Sequence, residues 1–138
     1  MDKVLNYLSL ARKAGFAELG EEPVGAATRA GKAVLVVVAS DAGDHTWRRA
    51  KSFVSGTNQQ LVRLPYTKDE MGFAIGRTSL AIAAVTDAGI AKSLVEALGQ
   101  PENAKVLDAL SQLAEKARMR QKEAKAHTKN KGKTPKKN

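Results

Sequence analysis

Between residues 2 and 14 apolar side chains recur at helical intervals. Val4, Leu5, Leu8 and Ala11 make one stripe, Arg12 and Lys13 fall in the last turn, and Gly15 suits a left-handed cap. A short edge strand is predicted over 16–19, then a second helix over 23–30 with Pro23 at its first position and Gly31 closing it. There the pattern changes. "AVLVVVA", residues 33–39, shows no alternation and is rich in β-branched residues, which marks a strand covered on both faces. Helices must therefore flank its sheet on both sides.

A third helix follows, capped by Asp41 or Asp44. Trp47, Ala50, Phe53 and Val54 face inward, Arg48, Arg49 and Lys51 face out, and Gly56 ends it. Residues 60–64 form the next strand. "TKDE", 67–70, reads as a capping box, in which the Thr hydroxyl takes one orphan amide and the Glu reaches back for another. It opens a short helix ending near Gly76. "SLAIAAV", 79–85, is the last strand, and Asp87 caps a helix through Leu98. This order predicts an α/β fold, a three-layer α/β/α sandwich on a four-stranded mixed sheet.

Gly99-Gln100-Pro101 breaks the pattern, so a domain over 1–99 is expected to be followed by an amphipathic helix over 100–125. Val106, Leu107, Leu110, Leu113, Ala114 and Ala117 give that helix a docking stripe. The remainder, 126–138, has almost nothing apolar to bury and is expected to be a basic tail, disordered without a partner.

Composition narrows the function. Cysteine is absent, which excludes disulfides and thiolate metal sites. The longest apolar run is 33–39, too short to span a bilayer, and the N-terminus lacks the apolar core of a secretory signal. A cytoplasmic protein with no membrane contact is expected. The net charge of +9 is unevenly placed: residues 118–138 hold nine Lys/Arg against one acid, whereas the rest holds fourteen bases and thirteen acids. Such an end favours a polyanion, nucleic acid first among them; its alternative is a solubilising extension.

An enzyme would be sought where two strands end in acid, at Asp41 and Asp87, because ligands of doubly wound sheets bind at strand ends. Asp41 and Asp44, with Lys68 or Lys92 nearby, could hold Mg²⁺ and a phosphate. The competing reading makes Asp41, Asp44 and Asp87 helix caps, since each precedes a helix. His45 and His127 are the only histidines, and no cluster has metal-ligand spacing. Phosphate-loop, dinucleotide and nucleophile-elbow motifs are lacking. Gly72 and Gly76 read as packing and capping glycines. A non-enzyme without metal or cofactor is expected.

Three segments are predicted to meet on one edge of the sandwich: the turn 19–24, the connection Gly31-Lys32, and the loop Gly76-Arg77-Thr78-Ser79. The first offers helix N-terminal amides and the last a guanidinium beside two hydroxyls, features that hold phosphates and splayed bases. Gly20, Gly31, Ala33, Leu35, Ala39 and Asp41, then Met71, Gly72, Ala74 and Gly76, then the strand 80–85 resemble the spacing of the L-seven-Ae and L-thirty-e ribosomal-protein superfamily. The resemblance covers residues 8–98. "LARKAG" and "GEE" (10–15 and 20–22) are most similar to its bacterial YlxQ-like branch.

That resemblance implies kink-turn RNA binding, a ribosomal or translation role, and an RNA-contacting loop at Arg77 and Thr78. Where kink-turn binders carry Asn, Glu and Lys, this chain has Glu22, Pro23 and Ala26. An ionised Glu offers no donor, Pro no amide and Ala no charge. The expected RNA contacts are Gly20, Glu21, Glu22, Lys32, Gly76, Arg77 and Thr78, with Arg118, Arg120, Lys122 and Lys125 from the basic end. The expected state is a monomer bound to ribosomal or other structured RNA, possible ribosome association included. The alternatives are a protein-binding module on the same scaffold, its acids meeting a basic partner, and a phosphate-handling enzyme using Asp41 and Asp44.

Overall fold

Leu35, Val36, Val37 and Val38 are fully buried, and the architecture follows from that. In the computed structural model, which describes residues 2–133 with side chains as far as Lys125, the chain alternates helices and strands. They are α1 (Lys3–Lys13), β1 (Ala17–Leu19), α2 (Glu21–Arg29), β2 (Leu35–Val38), α3 (Asp44–Val54), β3 (Gln60–Arg63), α4 (Lys68–Ala74), β4 (Ile82–Val85), α5 (Ala88–Leu98) and α6 (Ala104–Lys133). A 3-10 turn, Pro101–Asn103, joins the last two.

The sheet order is β1-β4-β2-β3. β4 runs antiparallel to both neighbours, pairing Val85 with Ala17 and Leu35, and Ile82 with Val38. β2 and β3 are parallel, Leu35 opposite Gln60 and Val38 opposite Arg63. Successive strand residues point to opposite faces. Leu35, Val37, Ala83 and Val85 accordingly pack with α1, α4, α5 and α6, while Val36, Val38, Ile82 and Ala84 pack with α2 and α3. The fold is the three-layer sandwich that the unbroken apolar run predicts.

Local signals set the element ends. Asp2 accepts the Val4 amide at 2.8 Å and caps α1. Thr67 and Glu70 exchange the two bonds of the capping box at the start of α4. Asp87 caps α5 through the Ile90 amide, and Gly99 ends it in the left-handed region at φ 62°.

The structure departs from the sequence expectation at four places. α2 begins at Glu21, so Pro23 is its third residue rather than its first. That costs no hydrogen bond, because the first four helix amides lack internal partners anyway. Gly43, not Asp41 or Asp44, is the N-cap of α3, without a side-chain bond. Asp41 instead accepts the Lys68 amide at 2.8 Å, serving the start of α4 across 27 residues of sequence. The last strand is shorter than 79–85, since residues 79–81 belong to the loop before it. Leu110 of α6 is fully buried, so the last helix docks on the domain by its apolar stripe. α6 continues as helix through Lys133, into the stretch expected as a disordered tail, and residues 134–138 lie outside the described residues.

Candidate nucleic-acid interface

Strand direction divides the molecule into two ends. β1, β2 and β3 finish where β4 starts, so the segments after Leu19, Val38 and Arg63 share one end with the segment before Ile82. This end is the rim. At the opposite end lie the start of β2 and the close of α2.

Backbone bonds hold the rim together. The Gly20 amide donates to the Ile82 carbonyl at 3.0 Å, placing the turn at residues 20–22 beside the loop at 76–81. Gly20 has φ 95°, a conformation that glycine adopts without steric cost, and it serves as the N-cap of α2 with no side-chain bond. The start of α2 thus presents Glu21 and Glu22 in its first turn.

The neighbouring loop is pinned to α4. Arg77 donates its amide to Gly72 at 2.8 Å, and Leu80 donates to Lys68 at 2.9 Å. Gly76 turns the chain at φ 77°. Gly72 makes the approach possible: a Cβ there would stand 2.6 Å from the Ser79 nitrogen, closer than real side chains come. Arg77, Thr78 and Ser79 are consequently held in place yet exposed.

Glu21 is engaged elsewhere. Its carboxylate pairs with Arg49 at 3.1 Å, and the Arg49 guanidinium lies over Phe53, 5.3 Å from the ring centroid. Glu22 is exposed on the rim. At the far edge of the sheet Arg63, the last residue of β3, stacks over Trp47 at 4.4 Å. Ring quadrupoles attract such cations, so Arg63 is a fixed rather than a waving charge. No spacing in the sequence joins Trp47 to Arg63; only the pairing of β2 with β3 does.

Tyr66 closes the rim beside α1. Its carbonyl accepts the Ser40 amide at 2.8 Å, and its hydroxyl donates to the Asp2 carboxylate. Burial, followed by that bond, pushes the Tyr66 hydroxyl up to about 12. The same bond, with the Val4 amide next in weight, lowers the Asp2 carboxyl.

The structure does not bring all the expected contacts together. Gly20, Glu21, Glu22, Gly76, Arg77 and Thr78 share the rim. Lys32 does not: its amide bonds Ala27, and Val34, two residues on, bonds Val85 at the opposite end. The nine residues of α2 rise about 1.5 Å each and carry the chain from one end to the other. Leu113 of α6 lies with Gly31 and Val34 around one shallow pocket, so α6 passes that same opposite end. Arg118, Arg120, Lys122 and Lys125, all exposed, project from it, with Arg118 also bonded to Glu115 at 2.8 Å. The cationic groups therefore sit at two separate ends.

Asp41 is committed to the α4 amide, while Asp44 stands exposed as the first residue of α3. Among the described residues no group of three or more His, Asp or Glu is placed to hold a metal ion. Among them, too, no helix is long and apolar enough to cross a membrane.

No protein-family model matches the chain. No curated protein matches it either. Solved structures do. A protein of unknown function from Bacillus halodurans is 29% identical, with a TM-score of 0.67 over 72% of this chain and 100% of that one. The 15.5kD RNA binding protein of Giardia lamblia is 19% identical, with a TM-score of 0.58 over 71% of this chain and 83% of that one. The chain thus shares its fold with both of these proteins.

Proposed function

We propose that this protein is a non-enzymatic, cytoplasmic binder of structured RNA, of the YlxQ-like kind, acting on ribosomal or related RNA in translation. The observation that carries the reading is the pinned loop: Arg77 and Thr78 are exposed while their backbone is fixed to Gly72, beside the Gly20 turn. A guanidinium and a hydroxyl carried on such a loop meet phosphate or an unstacked base with no backbone left to order at the moment of binding. The likeness to the Giardia protein, which is named for RNA binding, supports it.

The rim supplies shape and Arg63 adds a fixed cation at its edge. The opposite end supplies charge through Lys32, Arg118, Arg120, Lys122 and Lys125. With Glu22, Pro23 and Ala26 at the start of α2, the Arg77 loop carries more of the recognition than the helix does. Glu21, already paired with Arg49, positions α2 against α3 rather than touching RNA.

The test is Arg77→Glu in a filter-retention assay with a ribosomal RNA transcript. Losing one charge-assisted bond to phosphate and adding a repelling carboxylate should weaken binding by about tenfold or more. Retention equal to the parent would remove the loop from the interface.

A further inference from the structure

Phe73 is 80% exposed, the most exposed of the large apolar side chains in the described residues. Its helix turns Met71, Gly72 and Ala74 inward and leaves the benzyl group in water. A lone exposed apolar residue is ordinary. This one borders an open groove of about 840 Å³ between α1 and α4, lined by Asp2, Leu5, Tyr66, Asp69, Glu70 and Phe73.

We propose that this groove docks a lysine- and arginine-rich segment of another protein, anchored by an apolar side chain against Phe73 and Leu5. Three of the six lining residues are carboxylates and none is a base. Phosphate is therefore repelled here, unlike at the Arg77 loop, and a cationic peptide is attracted. The floor is already ordered, since Asp2 is held by the Val4 amide and by Tyr66, and Glu70 by the Thr67 amide. A partner would meet fixed charges around an apolar contact, the arrangement in which an anchor residue contributes most. On the RNA reading above, a protein bound to the same RNA is one source of such segments, because phosphates are neutralised by Lys and Arg. The chain's own basic helix cannot fill the groove: α6 projects from the opposite end of the sheet.

The experiment measures fluorescence anisotropy of a labelled synthetic peptide of alternating Lys/Arg and Leu, with a second peptide carrying Ser for Leu. The full chain should bind the Leu peptide about tenfold more tightly than the Ser peptide. Phe73→Ser should abolish that preference, and Asp69→Lys should weaken both peptides; both positions are exposed. RNA retention by Phe73→Ser should match the parent, which separates this proposal from the rim. An undiminished preference in Phe73→Ser, or none in the parent, overturns it. Self-association by sedimentation that Phe73→Ser dissolves would give the groove to a second copy and overturn it equally.

Discussion

At Gly72 a single missing methyl decides the shape of the Arg77 loop. A Cβ would meet the Ser79 nitrogen, Cα and carbonyl carbon at 2.6, 2.7 and 2.9 Å, and backbone cannot swing aside as a side-chain tip can. Gly72→Ala should therefore cost about 1–3 kcal/mol, read as a lower urea midpoint, and should loosen RNA retention. Gly25 is the contrast: its nearest neighbour is the Phe53 ring at 3.1 Å, so Gly25→Ala should cost less in the same titration and spare the loop. Tyr66 makes a second prediction at this scale. Its folded value of about 12 lies above the ordinary 10.0, so its contribution to stability is complete below pH 10.0 and is lost as pH rises toward 12. Spectrophotometric titration of a Tyr7→Phe variant should show the remaining tyrosine ionising near 12. A midpoint at the ordinary value would mean that neither the burial of Tyr66 nor its bond to Asp2 is kept in solution.

Among the elements, what was legible in the sequence was what is local. The Thr67–Glu70 box closes within three residues, and the cap of α5 by Asp87 does as well. The apolar run of β2 announced burial on both faces without reference to any partner. Asp41 was illegible because its amide lies 27 residues away, on a helix that only the tertiary fold brings near. The start of α2 was misplaced for a different reason: Pro23 tolerates several first-turn positions, and acids such as Glu21 are favoured there too. α6 makes the testable statement at this level. Its buried Leu110 anchors the first part, while residues 118–125 are all exposed. A chain ending after Ala117 should keep its thermal midpoint. It should also lose slope in log K against log salt, by up to about 8 if all nine bases beyond that point had engaged a duplex-like RNA.

Across the whole molecule, charge is sorted by place. The acidic groove adjoins one flank of the rim, the Arg77 loop and Arg63 occupy the rim itself, and Lys32 with the α6 bases occupies the other end. The sequence located the excess charge correctly on the last residues. It did not show that Lys32 belongs with them, because that depends on which way α2 runs along the sheet. Sites so separated, without shared partners, should act independently. Combining Arg77→Glu with the truncation after Ala117 should therefore multiply the two affinity losses, to within about 0.5 kcal/mol of additivity in free energy. A marked shortfall in filter retention would mean that both ends grip the same stretch of RNA backbone.

The sheet order carries a consequence for how the chain comes into being. β4 lies between β1 and β2, yet it is the last strand to be synthesised. A nascent chain that has not reached Ile82 holds β1 with its hydrogen-bonding neighbour still missing and β2 open on one side. The interior can close only once residues 82–85 arrive, late in translation, and the cationic end follows them out. The protein thus becomes compact shortly before it acquires most of its net positive charge.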